Sequence, residues 1–134
     1  MSRPEIALLL GLFRGSRFSY ARASVVKDIN ISFIDVSVAE DLKCYESVES
    51  ISEVEISTPD EGRYTIFSLC LIDKVVFSGY EIPYQTVIHV ARPIRRNPLY
   101  EAYIGRDLID YWQLYVDYAG GAIRSRMAKK VKLW

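Results

Sequence analysis

The segment Tyr103-Ile104-Gly105-Arg106-Asp107-Leu108-Ile109, continued by Trp112-Gln113-Leu114-Tyr115-Val116-Asp117-Tyr118, carries the densest structural signal in the chain. Residues 100–104 read as a strand and Gly105 as a sharp exit. Residues 106–112 predict a short helix, because Leu108, Ile109 and Trp112 stand at i, i+1 and i+4. Residues 113–118 are extended again, and Ala119-Gly120-Gly121 turns the chain into a last strand from Ala122.

Working outward, short strands continue to alternate with turns. Residues 5–13 form an apolar run of strand length, Arg14-Gly15-Ser16-Arg17 supplies a turn, and residues 18–26 return as the hairpin partner. Ser37-Val38-Ala39-Glu40 has the capping-box spacing and predicts a short helix running to about Lys43. Residues 53–57 alternate in polarity, Thr58-Pro59-Asp60-Glu61-Gly62 breaks the strand, and residues 63–72 resume it, which makes a second hairpin with a polar tip. Residues 75–77 and 84–91 flank the turn-rich Ser78-Gly79 and Ile82-Pro83, and a basic loop follows over 92–98. No repeat of fixed period and no low-complexity tract interrupts this order. Many short strands with sparse helix point to a closed or sandwiched β fold.

A chain of 134 residues, half of them hydrophobic, has room for one domain spanning 1–134 and buries about two-thirds of its unfolded surface. Seventeen basic and seventeen acidic residues cancel, which excludes a polyelectrolyte binder. A local contact with nucleic acid stays open on the basic tail alone, and this reading ranks well behind the others. The basic tail from about 124 to 134, with Arg124, Arg126, Lys129, Lys130 and Lys132, reads as a solubilising terminus. Cys44, Cys70 and the lone His89 share no metal-ligand spacing, so neither a metal nor another cofactor is expected. Sequence leaves a Cys44–Cys70 bridge open, but two isolated cysteines read as buried thiols in a reducing compartment, and the expected location is cytoplasmic. The apolar run 6–13 is too short to span a bilayer, and a strand explains it more simply than a signal peptide.

In order and spacing, residues 6–126 resemble the retropepsin-like, retroviral-type aspartic proteases. The stretch quoted first is similar to that family's C-terminal signature, in which two apolar residues and a glycine precede a short helix and a strand ending in Asp-Tyr. Val54-Glu55-Ile56-Ser57-Thr58-Pro59-Asp60-Glu61-Gly62 resembles the family's flap hairpin, and residues 75–90 the strands after it. Where the family carries its catalytic Asp-Thr-Gly, this chain has the degenerate triplet Asp28-Ile29-Asn30, followed by Ile31-Ser32-Phe33-Ile34. Ile29 has no hydroxyl with which to brace two subunits, whereas Asn30 is the non-glycine residue best able to tolerate positive φ. Family members pair the helix arginine with an acid just after the triplet; Arg106 is present, but Ile31 and Ser32 offer it no carboxylate.

The resemblance implies an all-β, closed acid-protease-like barrel with one or two short helices, assembled as a homodimer. It further implies an aspartic endopeptidase acting on a peptide or protein substrate, with no membrane partner. Asp28 would be catalytic and Ile29 and Asn30 would complete the active-site loop. Thr58, Pro59, Asp60, Glu61 and Gly62 would form the flap, with Gly62 letting its tip move, and Gly105 and Arg106 would support the site. One chain supplies one such aspartate, so a twofold dimer is needed to bring two carboxylates together around one shared proton. The other reading is a catalytically degenerate dimer that keeps the groove as a peptide-binding or scaffold module. Asp107 and Asp110 read as residues capping or decorating their helix, and His89 as a structural histidine in an alternating strand.

Overall fold

The computed structural model describes residues 6–44, 53–95, 99–117 and 122–130. Two nine-residue strands, β1 (Ile6–Arg14) and β2 (Arg17–Val25), pair along their whole length through a two-residue turn. Gly15 takes φ 59° there, the left-handed first position that a type II′ hairpin turn requires. Alternation then sorts the side chains: Leu10, Leu12, Ala21 and Ala23 point into the core, while Leu9 and Tyr20 face outward.

After a loop come β3 (Phe33–Asp35) and helix α1 (Val36–Leu42). The capping box expected from Ser37 and Glu40 is displaced by two residues. Asp35 is the N-cap, and its carboxylate accepts from the Ser37 N–H at 3.0 Å. The helix stops at Lys43, which sits at φ 50°. The second hairpin follows as β4 (Val54–Ser57) and β5 (Arg63–Ile72), then β6 (Lys74–Phe77), β7 (Tyr80–Ile82) and β8 (Thr86–Arg95). β7 occupies part of the stretch read as turn, because Ser78 and Gly79, both at positive φ, confine the turn to two residues. The chain ends with β9 (Ala102–Ile104), helix α2 (Arg106–Tyr111), β10 (Leu114–Asp117), β11 (Ala122–Ser125) and β12 (Lys129–Lys130). The expected turn at 119–121, the end of the basic loop at 96–98, and Lys132 lie outside the described residues.

Ten strands form one sheet in the order β12-β7-β6-β1-β2-β9-β3-β8-β5-β4, and β10 and β11 form a separate pair. The expectation of a closed barrel is thus corrected: the sheet is open. Its ends are β12, which is two exposed lysines, and β4, four residues that carry Glu55; short, charged strands of this kind resist further pairing. The main core lies against one side of the sheet, with Leu10, Leu12, Ile34, Val90, Ile104 and Trp112 fully enclosed. A second cluster of Ile29, Phe33, Tyr64, Ile66, Ala91, Tyr100 and Tyr103 is largely aromatic. Trp112 ties the C-terminal pair to the rest: its indole N–H donates to Thr86 Oγ1 at 3.0 Å, and its carbonyl accepts from Ser125.

Cys44 and Cys70 form a disulfide, which overturns the reading of both as free thiols. Cys44, two residues past the end of α1, and Cys70, near the end of β5, are brought together in the core, where both are fully buried. The cysteines therefore no longer argue for a reducing compartment. Among the described residues no helix is long and apolar enough to cross a membrane. With 26 residues separating the pair, loop-closure entropy gives a stabilisation of about 3.5 kcal/mol. The Cys44→Ala/Cys70→Ala protein should unfold at lower urea concentration and with a steeper slope, because the unfolded chain without the cross-link exposes more surface.

Candidate functional site: the loop between β2 and β3

β9 lies between β2 and β3, parallel to the first and antiparallel to the second. The chain leaving β2 must therefore cross the end of β9 to reach β3, and residues 26–32 make that crossing. They pass directly over the point where β9 gives way to α2. The Val26 N–H donates to the Ile104 carbonyl at 2.8 Å, which sets the height of the loop above the strand end.

A helix start leaves N–H groups without intrahelical partners. Gly105, the N-cap of α2, has no side chain to serve them. The loop does so instead: the Arg106 N–H donates to the Ile29 carbonyl at 2.9 Å, and the Asp107 N–H to the Asn30 carbonyl at 3.3 Å. Such close approach needs glycine at 105. A Cβ there would stand 2.7 Å from the Ile29 carbonyl oxygen and 2.9 Å from Ile29 Cγ1.

The second fastening joins Ser32 to Asp107. The Asp107 carboxylate accepts from the Ser32 N–H at 2.9 Å and from its hydroxyl at 2.5 Å. The Gly105 N–H in turn donates to Ser32 Oγ at 2.7 Å. Asp107 therefore does more than decorate its helix, as sequence suggested; it binds the loop to it. Arg106 meets the loop through its backbone only, and its guanidinium is exposed with no ion pair among the described residues.

Asp28 lies in the turn of this loop, exposed, with no side-chain hydrogen bond or ion pair among the described residues. Ile29 points the other way, 7% exposed, into the aromatic cluster. Asn30 is exposed, and it is not among the residues at positive φ, so the tolerance expected of its amide is not used. His89 stands opposite Phe33 across the β3–β8 register, beside this clamp. Burial lowers its pKa from 6.5, partly offset by the Asp107 carboxylate and a hydrogen bond with the Ser32 backbone. Its Nδ1 is buried and has no hydrogen-bond partner among the described residues.

The polar tip of the β4–β5 hairpin is closed by its own bonds. Thr58 and Gly62 exchange backbone and side-chain contacts: the Thr58 N–H donates to the Gly62 carbonyl, and the Gly62 N–H to Thr58 Oγ1, both at 2.9 Å. The Thr58 hydroxyl also donates to Asp60, while Pro59 and Glu61 are exposed. Gly62 is required here for space: a Cβ would lie 2.7 Å from Thr58 Oγ1 and 2.9 Å from the Tyr64 ring. Tyr103, buried in β9, donates to Asp60 Oδ2 at 2.8 Å. Burial, then the bonds to Asp60 and Tyr64, hold the Tyr103 phenol far above its ordinary pKa of 10. Among the described residues no group of histidine, cysteine and carboxylate side chains is arranged to hold a metal ion.

Two signals for this arrangement were present in the chain. One is the hydroxyl of Ser32, two residues after the 28–30 triplet, and the other the acid Asp107 in the first turn of the helix. Ser32→Ala removes the hydroxyl and leaves the Gly105 N–H buried and unserved, which should cost about 1–3 kcal/mol in urea unfolding. Burying neutral His89 also makes the unfolded chain the better proton acceptor. Stability should thus fall as pH drops through about 6.5, where unfolded histidine charges. The decline should flatten in His89→Gln, compared by urea midpoints at pH 7 and pH 5.

No family model matches this chain, and neither does any curated protein. Among solved structures it is similar to the retroviral protease-like domain of Ddi1 from Leishmania major, with 13% identity over 98% of this chain and 97% of that one, at a TM-score of 0.66. A Legionella pneumophila protein of unknown function is 14% identical over 83% of this chain and 90% of its own, at a TM-score of 0.42. A retropepsin-like aspartic protease from Rickettsia conorii is 10% identical over 87% and 91%, at 0.41. Shared over almost its whole length with the Ddi1 domain, the fold of this chain is retropepsin-like.

Proposed function

We propose that the chain is a retropepsin-like aspartic endopeptidase acting as a twofold homodimer, with Asp28 of each protomer forming the catalytic pair. One observation carries this reading: in a retropepsin-like fold, the loop between β2 and β3 is fastened on both sides of its turn while the Asp28 carboxylate is exposed and has no hydrogen bond or ion pair among the described residues. Rigid backbone around an uncommitted carboxylate is what peptide hydrolysis by this route needs. Two such groups facing one another hold a single proton between them; the ionised one takes a proton from water as it attacks, and the protonated one donates to the carbonyl oxygen. The requirement for one proton, neither two nor none, bounds activity on both the acid and the alkaline side.

In this reading the peptide lies extended between the Asp28 pair and the hairpin tip of Thr58, Pro59, Asp60, Glu61 and Gly62, aligned by backbone hydrogen bonds. Gly105 and Arg106 contribute through the backbone, as the platform on which the loop rests. No metal or other cofactor enters the proposed chemistry.

Ile29 favours a second reading, a catalytically degenerate homodimer that binds peptide or acts as a scaffold. Its side chain carries no hydroxyl and is committed to its own protomer's aromatic cluster, so the cross-subunit threonine brace of the family has no counterpart at this position. Peptide cleavage from pH 3 to 7 distinguishes the two. The peptidase reading expects turnover that falls by on the order of 10²–10⁴-fold in Asp28→Asn. Turnover unchanged in that variant removes Asp28 from the mechanism, and a dimer without any turnover supports the scaffold.

A further inference from the structure

The hairpin tip is held from outside as well as from within. Asp60 accepts from the Tyr103 hydroxyl at 2.8 Å, and Tyr103 stands two residues before Gly105, against which the Asp28 loop rests. Its ring cannot yield: it is 1% exposed, packed between Phe33 at 5.1 Å and Tyr64 at 5.6 Å. The donor is therefore fixed in the body of the sheet, and the acceptor sits on the element that would have to lift. Asp60 also accepts from Thr58, so releasing its carboxylate disturbs the turn as a unit. Glu61, next along, is held at φ 68°, a conformation that a non-glycine residue keeps where its surroundings over-determine it.

We propose that Tyr103 is a positioning residue that latches the β4–β5 hairpin through Asp60, so that an extended peptide enters the cleft beside the Asp28 loop only when this bond opens. The latch deepens the proposed function, and its gating consequence rests on that reading; the bond itself does not. It also gives Tyr103 a role in access to the cleft, while Asp28 would act on the bond to be cleaved. Glycine 62, by the same geometry, shapes the latched turn rather than loosening it.

Tyr103→Phe keeps the ring and deletes the donor. In native-state hydrogen exchange, the amides of Thr58, Asp60, Glu61 and Gly62 should exchange about tenfold faster or more in this variant, the loss expected for a hydrogen bond to a charged acceptor. Amides in the centre of β5 should be unchanged, which separates release of the tip from general destabilisation. Equal exchange at 58–62 in the two proteins overturns the latch. A fluorescent apolar octapeptide should also associate faster with Tyr103→Phe than with the unaltered chain; an unchanged association rate, or no binding to either protein, overturns the gating. Failure of the peptidase reading shows elsewhere, as cleavage indifferent to Asp28→Asn, and leaves the exchange result standing.

Discussion

The loop of residues 26–32 rests on the bare N-terminus of α2, and this one contact constrains the rest of the site. Because β9 runs between β2 and β3, the connecting chain must pass over the end of β9, where two helical N–H groups await acceptors. The loop's carbonyls meet that need only if nothing projects from position 105. A glycine there is thus a steric requirement and not a conformational one: Gly105 has φ −99°, an angle open to any residue. Satisfying the helix and shaping the loop are the same event, and the exposed position of Asp28 follows from it.

Ile29 shows how one buried side chain ties the loop to the body of the fold. An isoleucine buried among Phe33, Tyr100 and Tyr103 anchors the loop within its own protomer, adding about 1.5–3 kcal/mol of side-chain burial. A threonine there would bring a hydroxyl that must find a partner or pay for its desolvation. Ser32 and Asp107 supply a further tie inside the same protomer. The loop's shape is therefore held within one chain, and a second subunit would be needed only for the proposed two-carboxylate chemistry.

Much of this was legible in the sequence, and the parts that were not share a cause. Local signals located most of the strands, though not β3 or β7, both helices to within a few residues and the polar hairpin tip, since turns at Gly15, Ser78-Gly79 and Gly62 act over a few residues. Chain order placed Asp28 at the crossing loop. What escaped depends on partners far apart in the chain: Ser32 with Asp107, Asp60 with Tyr103, Cys44 with Cys70. Each residue alone fits a local role, whether cap, turn or thiol, and only the topology shows otherwise. The open sheet escaped for a related reason, because closure depends on whether the two edge strands can meet, and β4 and β12 are too short and too charged.

The three residues of β9 bring these threads together. Alternation along a strand sends Ala102 and Ile104 into the main core and Tyr103 to the opposite side, among the aromatic rings. The core face fixes the strand, and the other face offers a hydroxyl to the hairpin tip. One residue beyond the strand, Gly105 receives the loop that carries Asp28. A segment buried this completely has little freedom to shift, so the tip and the loop are referenced to the same rigid body. In the proposed cleft, floor and roof are then both referenced to a short internal strand, with the Tyr103–Asp60 bond joining the tip to β9 and the Glu61–Arg95 ion pair, at 3.7 Å, joining it to β8.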